Sequence, residues 1–322
     1  MTFVMTDTSS PAHSSPSTGL TVAHAVQPFY LDRAPVRGRL IRLGPLAQDI
    51  LSRHDTLPDA VKTLGGEGLA LVAAMATALK FSGTLSLQIK GDGPISLFLV
   101  DCTDKGELRF MAQMSEKHTG PLPDTAKGLF GDGYFAFTID QGPNTERHQG
   151  ITSLEGKTLA DMATRYFTDS EQHPCSIHLF ARPSEQGWQA GALVLERLAG
   201  EGSDAHNDNV AAQATAEEKD VWETACTFAG TLNADELFNP ELSAVTLINR
   251  LFGTLSVQCA ASRPLSFGCR CDKERMRSFL TRFSDEELDE MAQNGVISMN
   301  CGFCNTRFDF NRDDLPKEDH HA

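Results

Sequence analysis

The sequence is poor in basic residues. Lys and Arg number 28 of 322 against 43 Asp and Glu, and the net charge of −15 repels a phosphate backbone unless a basic patch is segregated on one face. No run of Lys and Arg supplies such a patch, so nucleic acid is not expected as a partner. A long apolar run near the N-terminus is missing too. Residues 1–22 are rich in Ser, Thr and Pro, with neither a basic start nor an apolar stretch long enough for a signal peptide or a membrane span. The expectation is a disordered tail over residues 1–25, a cytoplasmic location and no membrane partner. Catalytic signatures are absent as well. Gly156-Lys157-Thr158 has the ending of a phosphate-binding loop, but the spacing from Gly150 is one residue too long, and Ile151 stands where that motif needs glycine. Gly91-Asp92-Gly93 is too short for a dinucleotide fingerprint and precedes an apolar strand. No Ser, His or Asp sits in a nucleophile or metalloprotease motif, and an enzyme is not expected.

What is present is a chain with 40% hydrophobic residues, enough for at least one sizeable core and for two or more units. Leu85, Leu87 and Ile89 alternate with polar residues, the turn Gly91-Asp92-Gly93-Pro94 follows, and residues 95–100 are apolar, a hairpin pattern. The period of two returns in Leu108, Phe110, Ala112 and Met114, and again in Phe135, Phe137 and Ile139 after Gly131-Asp132-Gly133. These segments predict an antiparallel meander, with further strands at 36–43, 150–154, 175–181 and 189–198. Helices are predicted over 59–81, in a pattern interrupted by Gly65, Gly66 and Gly68, and over 158–167, where Thr158 and Asp161 form a capping box. Residues 201–223 are acidic, with Lys219 the only basic residue. The segment 199–262, helical over 216–228 and 240–252, reads as a linker that buries little of its own and is marginally stable. The fold class is α+β. The divisions expected are a tail (1–25), an antiparallel-sheet domain with helices (26–198), the helical linker (199–262), and a small C-terminal four-cysteine zinc domain (263–322). That last piece contains a capping box at Ser284 and Glu287 and a final strand pair, and a unit so small needs a staple.

The staple is read from the cysteines. In a reducing cytoplasm eight cysteines point to metal or redox chemistry, because constitutive disulfides do not persist there. Cys269-Arg270-Cys271 and Cys301-Gly302-Phe303-Cys304 are two tight pairs about thirty residues apart, the arrangement that clasps a tetrahedral ion from two sides. Soft sulfur ligands with no His or carboxylate in either pair favour one closed structural Zn²⁺ per chain. An iron–sulfur cluster is the metal alternative. Arg270, Lys273, Arg275 and Arg307 lie near in sequence and can offset the −2 charge of a Zn(Cys)₄ centre. Two outcomes stay open at this point, an inert zinc knuckle and a reactive thiolate cluster. Cys102, Cys175 and Cys226 read as small buried or half-buried hydrophobes, Cys259 as a candidate for disulfide exchange, and His320 and His321 as solvated.

The run Leu265-Ser266-Phe267-Gly268-Cys269-Arg270-Cys271-Asp272-Lys273-Glu274-Arg275, with Ser284-Asp285-Glu286-Glu287-Leu288 and Cys301-Gly302-Phe303-Cys304, resembles the zinc domain of the bacterial thirty-three-kilodalton heat-shock protein family. Leu79-Lys80-Phe81-Ser82-Gly83, Gly131-Asp132-Gly133-Tyr134, Leu154-Glu155-Gly156 and Tyr166-Phe167 resemble its N-terminal domain. The resemblance implies a redox-regulated, ATP-independent holdase that binds unfolded client proteins under oxidative stress. It implies an inactive, reduced state with zinc on Cys269, Cys271, Cys301 and Cys304. It implies an active state with disulfides Cys269–Cys271 and Cys301–Cys304, zinc release, a homodimer when oxidised, and hand-off of clients to an ATP-dependent foldase chaperone. The functional alternative is a zinc-ribbon module for nucleic acid, which the net charge disfavours.

Overall fold

The computed structural model describes residues 24–315 apart from 33, 80, 143–144, 146, 171–173 and 199–215. The tail expected over 1–25, up to residue 23, the first part of the acidic stretch, and His320 and His321 lie outside the described residues. The chain begins with β1 (Ala25–Leu31), β2 (Val36–Arg42), α1 (Pro45–Leu51) and α2 (Asp59–Ala76). The meander follows as β3 (Thr84–Gly91), β4 (Ile95–Thr103), β5 (Glu107–Met114), α3 (Ala126–Phe130), β6 (Gly133–Asp140) and β7 (His148–Ser153). Next come α4 (Leu159–Asp169), β8 (Cys175–Ser184) and β9 (Gly187–Arg197), and then α5 (Ala216–Ala229), α6 (Ala234–Leu237) and α7 (Ala244–Phe252). Three short strands, β10 (Val257–Cys259), β11 (Arg263–Pro264) and β12 (Ser266–Phe267), lead into α8 (Lys273–Leu280), α9 (Asp285–Met291), β13 (Val296–Asn300) and β14 (Arg307–Asn311).

Two six-stranded sheets form the body. The first has the order β10-β1-β2-β9-β8, with β11 also on β1, and the second has the order β12-β5-β4-β3-β6-β7. The small pair β13-β14 stands apart. The expected α+β class holds, and so does the meander, with Leu87 opposite Val100 on one side and Phe137 on the other.

Helix α2 is the axis between the sheets. It is apolar nearly all round because both of its sides are covered, the usual state of a fully buried helix. Its glycines are where the sheets come closest. A Cβ on Gly66 would lie 2.8 Å from the Ala181 Cβ of the first sheet, and one on Gly68 would lie 2.9 Å from the Phe98 ring of the second. The glycines that interrupt the sequence pattern therefore carry the contact rather than break the helix, which ends at Ala76, short of the predicted 81.

The other face of the first sheet has a core of its own. Phe29, Leu40, Leu193 and Leu195 from the strands pack with Val221, Ala225, Leu247, Ile248 and Phe252 from α5 and α7, and the Phe29 and Phe252 rings stack at 5.1 Å. Buried Arg42 donates to the Leu242 carbonyl. The segment read as burying little thus covers a whole sheet face. Its α5 does so with small residues, Ala225 and Ala229 being fully buried.

Candidate metal centre

Each cysteine pair is held where two elements meet. Cys269 and Cys271 occupy the link from β12 to α8, whose N-terminus is capped by the Asp272 carboxylate accepting from the Arg275 N–H at 2.8 Å. Cys301 and Cys304 lie in the turn between β13 and β14, closed by the Cys301 N–H to Thr306 carbonyl bond and the Asn305 N–H to Cys301 carbonyl bond, 2.9 and 2.8 Å. Asn305 is left-handed, φ 57°, a conformation that Asn tolerates better than most residues.

The four sulfurs converge. Their Sγ atoms all lie within 4.8 Å of one another, with Cys269 to Cys301 at 3.7 Å and Cys271 to Cys304 at 3.3 Å. Four sulfurs at ~2.3 Å from one ion stand about 3.8 Å apart along the edges of a tetrahedron, so the set fits Zn²⁺. The donor chemistry agrees. Burial and the neighbouring sulfurs push the Cys271 thiol well above its ordinary value, and burial likewise raises Cys301, against backbone N–H groups of Cys304 and Phe303 that favour its thiolate. At Cys304 burial is the largest influence and opposes ionisation, but hydrogen bonds from Thr306, Cys271 and Cys269 together outweigh it and hold the thiol down to about 7. Thiols crowded in this way cannot all ionise together without a cation among them.

The basic residues expected to offset the cluster have partners of their own. Arg275 Nη1 donates to the Arg270 carbonyl at 2.7 Å, Arg307 pairs with Asp309 at 2.8 Å, and Lys273 lies over the Phe310 ring. Arg270 reaches away from the sulfurs to the second sheet, where its Nη1 donates to Thr84 Oγ1 at 2.9 Å and its Nη2 lies 3.5 Å from Asp101.

That reach belongs to a docking surface which sequence reasoning missed. Buried Asp101 on β4 also holds Arg109 on β5, 2.7 Å from its Nε. The Arg109 guanidinium lies 3.9 Å from the centre of the Phe303 ring, between two of the cysteines. His54 Nε2 stands 3.2 Å from the Phe303 carbonyl, and burial keeps the pKa of this imidazole below its ordinary value. Arg53 covers Phe267 at 4.1 Å, and β12 pairs in parallel with β5. The cysteine cluster is thereby packed on the edge of the second sheet. The polar–apolar alternation of β5 was the one sequence signal for Arg109, and Asp101 and His54 carried none.

The remaining cysteines fall outside the cluster. Burial pushes the thiols of Cys102 and Cys175 up to about 12 and raises Cys226, which leaves them poor nucleophiles. Cys259 is exposed on β10. Among the described residues no helix is long and apolar enough to cross a membrane.

Comparison with known proteins matches this arrangement as a whole. A family described as Hsp33 protein matches residues 24–311, a span that includes both sheets, the helices between them and all four cysteines. The chain is 36% identical to the 33 kDa chaperonin of Caulobacter vibrioides over 300 residues, 90% of this chain and 95% of the relative. It is 34% identical to the 33 kDa chaperonin of Shewanella loihica, over 89% and 92% of the two chains. The crystal structure of the 33 kDa chaperonin of Thermotoga maritima superposes with a TM-score of 0.70 at 21% identity, over 91% of this chain and 96% of that one, a likeness of fold. With a family match that runs from the first strand through the metal centre, and relatives above 30% identity along nine-tenths of its length, this chain belongs to the Hsp33 family.

Proposed function

We propose that the protein is an ATP-independent holdase chaperone, switched by the redox state of Cys269, Cys271, Cys301 and Cys304, that binds unfolding proteins and prevents their aggregation under oxidative stress. Membership of a family whose relatives are named chaperonins supports the chaperone part. The observation that carries the switch is the position of the cluster. Four thiols with the spacing of a zinc site sit at the junction where β12, α8 and the β13-β14 pair are fastened to the second sheet, so chemistry at the sulfurs is chemistry at a structural fastening. Bound Zn²⁺ would supply charge neutralisation and a cross-link between the two cysteine pairs.

Oxidation of the four thiols to two disulfides, Cys269–Cys271 and Cys301–Cys304, removes four electrons, which two molecules of peroxide accept as they are reduced to water. No thiolate then remains to hold an ion. In the proposed cycle the C-terminal region and the segment 199–262 loosen, apolar surface on the first sheet becomes available to clients, the oxidised chain dimerises, and clients pass to an ATP-dependent foldase chaperone. The place of action is the cytoplasm.

Light scattering of a heat-unfolding client with reduced, zinc-loaded protein, and again after peroxide and mild warmth, tests the reading. Suppression of aggregation only after peroxide, reversed by a thiol reductant together with zinc, is the expected result. Equal protection by the reduced protein would end the switch and leave a constitutive chaperone.

A further inference from the structure

Past the last turn of α2, beside the end of α4, a groove opens. On the side of the first sheet it is a cavity of about 950 Å³ lined by Arg37, Arg39, Thr77, Leu79 and Arg263 among others. Arg39 is 1% exposed. Its Nη1 lies 3.1 Å from Glu196 Oε2, but the same oxygen already accepts from Arg37 Nε and Nη2 at 3.2 and 2.8 Å. Neither Nη1 nor Nη2 of Arg39 has an aligned hydrogen-bond partner. One carboxylate therefore serves two guanidinium groups, and a buried cation is left with unused donors, a costly state for a folded protein.

The other groups facing the cavity do not relieve it. Asp104 and Arg263 are exposed and opposite in sign. The end of α2 contributes only partial negative charge, and the Thr77 hydroxyl is turned back on the Ala73 and Ala74 carbonyls, at 3.2 and 2.8 Å. Burial pulls the Arg39 pKa down, and Glu196 offsets that only in part.

The groove has a second, apolar half. At Arg37, Ala78 and Leu79 the first cavity meets another of about 600 Å³, lined mainly by Met75, Leu85, Phe137, Ile139 and Phe167, with Arg147, His148 and Glu196 also on its wall. Leu79, at the junction, is 44% exposed. A planar guanidinium with free donors suits a phosphate or carboxylate, and an adjoining apolar cavity of this size suits an aliphatic chain.

We propose that this groove is a binding site for an amphiphilic anion, a single aliphatic chain ending in a phosphate or carboxylate, with the charged end on Arg39 and the chain passing Leu79 into the apolar half. Residues 260–263, which join β10 to β11, form one wall of the charged half, so the site is complete only while those strands stay on β1. Occupancy then holds that segment in place and slows peroxide activation. This consequence rests on the switch proposed above, whereas binding to the reduced protein does not.

Calorimetric titration of the reduced, zinc-loaded protein with decyl phosphate and with decanoate, below their micelle concentrations, is compared with inorganic phosphate and with decanol. At least tenfold tighter binding of the two amphiphilic anions than of either half alone is expected, and their ratio distinguishes the two head groups. Arg39→Met weakens both anions at least tenfold and leaves decanol unchanged. Should that variant not fold, as read by circular dichroism, Leu79→Asp, at an exposed position, gives the same loss. Decanol or inorganic phosphate binding as tightly as decyl phosphate, or unchanged affinity in the folded variants, would overturn the site.

Discussion

Glu67 lies on α2, between the two sheets, and burial there raises its carboxyl to about 7. An acid whose folded pKa lies above its ordinary value holds its proton longer in the folded chain than in the unfolded one. Its contribution is intact below the ordinary carboxylate value and is lost as the pH rises through 7. Glu67→Gln should therefore raise stability at pH 8, by about 1–3 kcal/mol, and change little at pH 4, as read from urea midpoints at the two pH values. A uniform gain at both would mean that the effect is not ionisation. Phe303 sets a second residue-scale test. Its ring carries Arg109 without ligating anything, and a cation–π contact of this kind contributes about 0.5–2 kcal/mol. Phe303→Ala should keep its metal content, by elemental analysis, while peroxide activation quickens by about three- to tenfold. Loss of the metal would instead make the ring part of the site's own fold.

At the scale of elements, α7 joins the first sheet to the strands that lead to the cysteines. Leu247 and Phe252 are buried against β1, β2 and β9, and truncating such a leucine costs about 2–5 kcal/mol. Leu247→Ala should bind a hydrophobic dye in its reduced state, at temperatures where the parent does not. Unchanged dye fluorescence up to global unfolding would show that α5–α7 and the sheet melt as one. These elements also show what could be read from sequence. The hairpins of the second sheet were legible because one buried face imposes a period of two, and the four cysteines because ligand spacing is local. Helix α5 was legible as a helix, but its burial was not, because its buried positions are largely alanines, which carry little hydrophobic signal until a sheet is seen to press on them. The short strands β10, β11 and β12 have only two or three residues each, too few to show any period. The pairing of Arg109 with Phe303, and of His54 with its carbonyl, joins residues far apart in the chain, and no local pattern marks it.

Over the whole molecule, stability is unevenly distributed, and the sequence of events on losing the proposed zinc follows from that. The C-terminal core has five buried hydrophobic residues, Leu280, Leu288, Ile297, Phe310 and Leu315, around a two-stranded pair, which is marginal by itself in water. Binding of structural zinc is worth on the order of 10–16 kcal/mol to small domains of this kind, more than such a core can supply. The sheets around α2, by contrast, share a single large apolar cluster. Removing the ion with a chelator, without any oxidant, should therefore unfold residues 265–315 first. The docking on β5 fails with it, and then β10 and α7 lose their anchor on one side. Hydrogen exchange followed by mass spectrometry after chelation reads this order directly. Amides of β13 and β14 should lose protection first and those of α5–α7 later, with β2, β9 and α2 still protected. That sequence would uncover Phe29, Leu40, Leu193 and Leu195 on an intact sheet, a contiguous apolar face for an unfolding chain. If β2 and β9 exchanged together with β13, the molecule would be one cooperative unit and no folded platform would remain to present that surface.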